Sequence, residues 1–171
     1  VTEPRRKLAS SQQRGRRWGS TTTFTPGRSA LSSNSERVGS IAGAIAARLG
    51  WDHHGMLLLR EAALVHDVGK IGVPDNILTK PGPLTSSEFE VMKTHAALGA
   101  QIVRDVLTPD QTLWILHHHE RWDGDGYPEK LHGPEIPEGA RIMAVADAWD
   151  AMTAHRAYRR ALAADEALAI L

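Results

Sequence analysis

From Asn34 onward, apolar residues recur every three or four positions, and no stretch alternates at every second position. Val38, Ile41, Ile45 and Leu49 form the first such stripe, with Arg37, Ser40 and Arg48 off it. The stripe predicts a helix capped by Asn34 or Ser35 and ended by Gly50. A second helix is predicted over residues 55–66, with Met56, Leu57, Leu59, Ala63 and Leu64 as its apolar surface. Pro74, Pro81 and Pro83 interrupt the pattern and leave room for a short helix at residues 76–78. Thr85 and Glu88 have the spacing of a capping box, and the helix they open carries Phe89, Met92, Ala96, Gly99 and Val103 towards Val106. Thr108-Pro109 starts the next, with proline at the first helical position, and Leu113, Trp114 and Leu116 lead into His117. Residues 140–147 read as an apolar helix, and a last helical pattern runs from Asp165 to Leu171. With no repeat, no heptads and no strand run, the chain is expected to be an all-α bundle with its site built from inward-facing side chains.

Composition narrows what such a bundle can do. A chain of 171 residues suits one domain with a real core, and 42% apolar with 23% charged residues is ordinary for a globular protein. The formal net charge is zero, so no global field argues for nucleic acid or a membrane surface. There are no cysteines, so disulfides and thiolate metal sites are excluded and any metal must be held by nitrogen and oxygen. No apolar run approaches the roughly 20 residues that span a bilayer. Residues 1–31 differ from the rest. Arg5, Arg6, Lys7, Arg14, Arg16, Arg17 and Arg28 stand against the single acid Glu3, among Ser, Thr, Gln and Gly. Too little apolar surface is available there to offset the entropy of ordering, so residues 1–31 are expected to be a disordered basic arm or linker and 32–171 the domain. With only Trp18 and Phe24 as aromatics, a basic arm for RNA or anionic lipid is the weaker reading. The segment has no compact apolar region of the kind a signal peptide needs. The last helical pattern stops at Leu171 without a cap, which reads as a truncation at the C-terminus.

The chemistry gathers around Val65-His66-Asp67-Val68-Gly69-Lys70. Imidazole nitrogen suits a borderline transition metal, and an adjacent carboxylate can bind one metal or bridge two. Gly69, lacking a side chain, is expected to let a substrate approach closely, and Lys70 places a cation within reach of it. An isolated His-Asp pair is more often a polar helix end, and His95, beside an apolar stripe, would by itself be an ordinary core histidine. The pair His53-His54 reads as exposed linker. His117, His118 and His119 cannot share one helical face, because adjacent positions diverge by about 100°. Two neighbours can still converge where a helix ends. Asp147 sits in an apolar helix, where a charge needs a partner that a metal would supply.

Taken together, His66-Asp67, His95, His118-His119 and Asp147 make a nitrogen and oxygen ligand set scattered over separate helices. This pattern resembles the HD superfamily of metal-dependent phosphohydrolases, and more closely the HD-GYP subfamily, named for pairs such as His66-Asp67 and triplets such as Gly126-Tyr127-Pro128. The likeness runs from about Asn34 to Leu171 and includes Leu78-Thr79-Lys80-Pro81, Lys93-Thr94-His95, His118-His119-Glu120-Arg121-Trp122-Asp123-Gly124, Val145-Ala146-Asp147 and Arg156-Ala157-Tyr158. It implies an HD-type helical bundle of bacterial signal transduction that hydrolyses cyclic di-GMP to pGpG and in some members to GMP, through attack on phosphorus by hydroxide bridging two metals. By the resemblance, Asp67 bridges the metals, His66 and Asp147 hold the first, and His95, His118 and His119 hold the second. All six are expected within one shell, with His53, His54, His117, His132 and His155 outside it. Lys70 and Arg156 contact substrate phosphate, Asp67 and Lys70 being the catalytic pair. The metals implied are two divalent ions, iron or manganese. Gly126, Tyr127 and Pro128 are implied at the edge of the site and in docking to diguanylate cyclase domains. A sensor or receiver domain in the full-length protein and a cytoplasmic location are implied as well.

One departure stands out. Family members usually carry a histidine where this chain has Asn34, and members with three metals usually have a glutamate where it has Ala30. An amide oxygen is a weaker ligand than imidazole for such metals. Asn34 is therefore a weak or lost ligand of the first metal, and no third metal is expected. The rival readings are an impaired module that binds nucleotide or docks a cyclase domain, and hydrolysis of another nucleotide.

Overall fold

The computed structural model describes residues 28–154 and 161–171, with side chains from Asn34 onward. The described residues form the helices α1 (Arg28–Arg48), α2 (His53–Val65), α3 (Asp75–Leu78), α4 (Ser86–Val103), α5 (Pro109–His117), α6 (Glu138–Thr153) and α7 (Ala164–Leu168). Short 3-10 turns cover Val68–Gly72 and Gly133–Glu135, and there is no strand among the described residues. The architecture is the all-helical bundle that the periodicity predicts. Helix α1 begins six residues before Asn34, so Asn34 and Ser35 lie inside it and are not its cap. Gly50, with φ of 84°, ends it in the left-handed conformation that a Cβ disfavours.

Local capping follows the sequence closely elsewhere. Thr85 accepts from the Glu88 amide and the Glu88 carboxylate accepts from the Thr85 amide at 2.7 Å. Thr108 and Gln111 repeat the device at α5, with Pro109 at the first helical position. Gln111 also ties helices together: its buried amide donates to the Leu58 carbonyl at 2.9 Å and to Glu61 at 3.1 Å, joining α5 to α2.

The core runs between α1, α2, α5 and α6. It is built from Val38, Ala42 and Ala46 of α1, Leu59 and Ala63 of α2, Ile115 of α5, and Ile142, Met143 and Ala146 of α6. The face that α1 buries is rotated from the predicted stripe. Val38 of that stripe is in the core and Ile41 and Ile45 pack half-buried against it, but Leu49 is exposed and the alanines face the bundle. Small side chains there let α1 lie close to α2 and α6. Likewise Leu57 and Leu64 of α2 and Leu113 of α5 are exposed, and Trp114 and Ile115 take the core positions.

Two features fix what lies at the centre. Arg37 of α1 reaches Asp150 of α6 with a two-pronged pair, Nε to Oδ1 at 2.6 Å and Nη2 to Oδ2 at 3.0 Å. Asp150 is buried, so an ionised carboxylate there depends on this partner. The second feature is the packing of the turn after α2 against α4. A Cβ at Gly69 would collide with the His95 carbonyl oxygen and the Gly99 amide and sit 2.9 Å from the Gly99 Cα. Gly69 thus makes room for the α4 backbone, where the sequence suggested room for a substrate.

Because the atoms a Cβ would meet at Gly69 are backbone, no rotamer change relieves the clash. Gly69→Ala is expected to lower unfolding free energy by at least about 3 kcal/mol, the upper end for overpacking. Gly50→Ala, whose Cβ would meet nothing within 4 Å, should lose only about 1 kcal/mol through its backbone angle. Urea unfolding of both variants checks the difference.

Candidate metal centre

The centre forms where two helix ends meet two continuous helices. His66 is the residue that caps the C-terminus of α2, and Asp67 begins the turn that follows. His118 caps the C-terminus of α5, and His119 is next to it. His95 comes from the middle of α4 and Asp147 from α6. Adjacent His118 and His119 diverge less than they would in a continuing helix, with ring centroids 4.0 Å apart and planes at 42°.

Ligand-type atoms of Asp67, His95, His118 and His119 all lie within 4.8 Å of one another. Asp67 divides its carboxylate. Oδ1 is 3.5 Å from His95 Nε2, and Oδ2 is 3.6 Å from His66 Nε2. His66 Nε2 is also 4.0 Å from Asp147 Oδ1. The six residues that the sequence analysis grouped are therefore linked by these distances. Lys70 donates from Nζ to Asp67 Oδ2 at 2.5 Å.

Three of the imidazoles share one orientation device. Nδ1 of His66, His95 and His118 lies 2.6, 2.7 and 2.6 Å from the carbonyl oxygens of Ala63, Met92 and Ile115, each three residues earlier. A carbonyl can only accept, so each Nδ1 carries the proton and each Nε2 presents a lone pair. Those three Nε2 atoms are buried and have no hydrogen-bond partner among the described residues. An orphaned buried acceptor costs about 1–3 kcal/mol, and three aimed at one carboxylate suit a cation between them. The donor set therefore fits divalent metal.

Electrostatics agree with that fit. Burial holds the His95 imidazole below its ordinary value and holds His118 and His119 well below it, so all three are neutral near pH 7. Burial opposes ionisation of Asp67, but His66, Lys70 and the other imidazoles around it keep its carboxyl well below the usual range. Burial, and then the charges of Asp67 and Asp147, push the Tyr127 phenol up, so it stays protonated.

The remaining candidates fall into place around this group. The Tyr127 ring stacks on His119 at 4.8 Å and 28°, which puts the Gly-Tyr-Pro loop against the centre. His117 is buried but turns to the Leu113 carbonyl at 3.0 Å and Glu129 at 3.1 Å. His53 and His54 are exposed as expected but open α2 rather than forming a linker, and His132 is exposed. Asn34 uses its side-chain oxygen to accept from Arg37 Nη2 at 3.3 Å. Arg156 and His155 lie outside the described residues, as does the side chain of Ala30. Sequence reasoning missed the Arg37–Asp150 pair and Glu120, whose buried carboxylate accepts from the Glu129 and Leu131 amides at 2.7 and 3.2 Å. A second aspartate three residues after Asp147 on the same apolar helix was the available signal for Asp150.

A helical bundle that turns imidazole lone pairs and a divided carboxylate into its own core defines a metal-binding class of all-α proteins. The chain belongs to the HD domain family, whose model matches residues 27–171. It is 45% identical over 137 residues to a cyclic di-GMP phosphodiesterase of Thermotoga maritima, covering 78% of this chain and 37% of that protein. It is 43% identical over 139 residues to a cyclic di-GMP phosphodiesterase response regulator of Xanthomonas campestris, covering 80% and 37%. A 3'3'-cGAMP-specific phosphodiesterase of Vibrio cholerae is 44% identical over 140 residues, with 81% and 30% covered. Among solved structures, an HDGYP protein of Bdellovibrio bacteriovorus superposes with a TM-score of 0.61 at 28% identity, over 70% of this chain and 40% of that one. The chain thus spans a little over a third of the first two relatives, at 37% of each. No helix of the described residues is long and apolar enough to cross a membrane.

Neutral buried histidines make stability depend on pH in a definite direction. Below the ordinary imidazole value of 6.5 the unfolded chain takes up protons that native His95, His118 and His119 refuse. The metal-free protein should therefore lose stability as pH falls from 7 to 5, by on the order of 1 kcal/mol per pH unit for each histidine. Asp67 acts in the same sense only below its ordinary value of 3.8, so it adds no slope in that window. Melting curves of metal-free protein across this range test the direction, and His118→Gln should flatten the dependence.

Proposed function

We propose that the chain is the hydrolytic region of a metal-dependent cyclic dinucleotide phosphodiesterase that opens cyclic di-GMP to pGpG and carries part of the product on to GMP. The observation that carries this reading is the divided carboxylate of Asp67, with one oxygen towards His95 and the other towards His66. A carboxylate so placed suits a bridge between two cations. His66 and Asp147 would hold the first, and His95, His118 and His119 the second. The mixed imidazole and carboxylate set suits iron or manganese. Two such ions, when bound, lower the pKa of a water and neutralise charge on the phosphate under attack.

The protein's own groups supply the rest. Lys70 has three N–H donors, so it can keep Asp67 and still reach a non-bridging phosphate oxygen. Arg156 is assigned a second phosphate contact. The net reaction adds water across one P–O3′ bond, leaving a 5′-phosphate and a free 3′-hydroxyl. An amide oxygen at Asn34 is a weaker donor than the imidazole usual there, and it also accepts from Arg37, which supports a weaker first site, while Ala30 argues against a third metal. Relatives named as phosphodiesterases support an enzyme over a docking module. The cGAMP-specific relative makes the hybrid dinucleotide the second substrate to try. Docking to diguanylate cyclase domains through Gly126, Tyr127 and Pro128, a linked sensor or receiver domain, and a cytoplasmic location complete the proposal.

Turnover of cyclic di-GMP, followed by chromatography of pGpG and GMP, is the direct test, with metal content measured on the same samples. Asp67→Ala removes a ligand from both sites and should lose metal and turnover together. Lys70→Ala should keep its metals and lose turnover, and equal metal loss in both would refute this division.

Asn34→His places an imidazole where the neutral amide stands. It is expected to tighten binding at the first site by at least about tenfold, or 1.4 kcal/mol. Calorimetric titration with manganese reads this, and superimposable curves would remove Asn34 from the site.

A further inference from the structure

His119 lacks the device that orients the other three imidazoles. No carbonyl among the described residues accepts from its ring, whereas His66, His95 and His118 each use the carbonyl three residues back. His119 lies one residue beyond His118, the residue that caps α5, in the turn that follows the helix. Its ring neighbours are His118 at 4.0 Å and His95 at 5.0 Å, both of the centre itself, and from outside the centre the face of Tyr127, stacked at 4.8 Å with planes at 28°. We propose that Tyr127 is the positioning residue of His119, doing with an aromatic face what a carbonyl does for the other three ligands. This rests on the metal-binding reading of the site and gives the tyrosine of the Gly-Tyr-Pro loop a defined task within it.

The surroundings of Tyr127 make it a fixed surface. Its amide donates to the carbonyl of His119 itself at 3.2 Å, closing the intervening residues into a loop that returns to its own start. Gly126 permits the return, because a Cβ there would lie 2.5 Å from the Glu120 Cα and 2.7 Å from its carbonyl carbon. The buried Glu120 carboxylate then holds the far side of the loop through the amides of Glu129 and Leu131. On the ring, Phe89 packs edge-on at 6.1 Å and 87°, and the Lys93 ammonium lies 5.9 Å from the centroid. Tyr127 is thus held by α4, by its own loop and by the turn that carries His119. A ring wedged this way restricts the χ2 rotation that an unanchored imidazole would keep, and so selects the rotamer that aims His119 at the centre.

The stack uses the ring and has no need of the hydroxyl, which separates this role from hydrogen bonding to a ligand. Titration of metal-free protein with Co(II), read by calorimetry and by the visible absorption of the bound ion, tests it without any turnover assay. Tyr127→Leu, which keeps bulk but removes the planar face, should weaken binding by about tenfold, in the range seen when a group supporting a metal ligand is lost. It should also change the absorption band. Tyr127→Phe should bind as the wild type does. In a His119→Ala background, Tyr127→Leu should add less than about twofold, because the group it positions is gone. A Phe variant as weak as the Leu variant, or a full tenfold effect persisting without His119, would overturn the proposal. If the wild-type protein bound no Co(II) at all, the metal-binding reading would fail with it, whereas normal binding in Tyr127→Leu would refute the positioning role alone.

Discussion

The site depends on one backbone contact, that of the turn after α2 with α4. Gly69 lets the turn lie directly on the peptide groups around His95 and Gly99, with no side chain between them. That approach brings Asp67 to 3.5 Å from the His95 ring, although the two residues belong to different elements. A side chain of even one carbon would push the turn outward and separate the carboxylate from the second set of imidazoles. A backbone approach this close is all-or-none, since peptide groups have no rotamers with which to adapt.

Around that contact the protein orients the side chains of the centre with main-chain groups. Three imidazoles take their tautomer from carbonyls of their own preceding turn, so the helices that position them also decide which nitrogen faces inward. Burial keeps the His95 and His118 rings neutral, and the Asp67 carboxylate stays ionised beside His66 and Lys70. The result is a centre with lone pairs and negative charge directed at a common space and the Lys70 ammonium at its side. This electrostatic arrangement suits a divalent ion and a phosphate group, and it is shared by no other group of residues described in the fold.

Two carboxylate ties hold elements that carry residues of the centre. Arg37 and Asp150 clasp α1 to α6, the helix that also carries Asp147, and the same guanidinium engages Asn34. Glu120 ties the loop of residues 120–131 to itself, and Tyr127 is delivered onto His119 as a consequence. Both ties involve a buried carboxylate, that of Asp150 satisfied from another helix and that of Glu120 from within its own loop. Each is specific to one geometry, because a misplaced helix or loop would leave a charge buried without a partner.

Much of this was legible in the sequence because it is set by neighbours along the chain. Thr85 with Glu88, and Thr108 with Pro109, mark helix starts through bonds that span three residues, so local chemistry alone determines them. Histidine and aspartate as the metal-suited groups followed from residue type in a chain without cysteine. Other features depended on distant partners. The α1 stripe pointed to Leu49, yet the buried face belongs to Ala42 and Ala46, because closeness of approach to α2 and α6 outweighs side-chain size. The cap assigned to Asn34 failed because α1 begins upstream at Arg28. Asp147 looked like the charge set into an apolar helix, but Asp150 is the one fully enclosed, and only the arrival of Arg37 from α1 shows why it can be. Gly69 gave a sequence signal for open space, whereas the fold fills that space with the backbone of α4. Residue chemistry and local capping are properties of short stretches, so the sequence determined them by itself. Which face is buried, which carboxylate is enclosed and what fills the space beside a glycine are decided by packing between elements far apart in the chain, and the tertiary structure alone determined those.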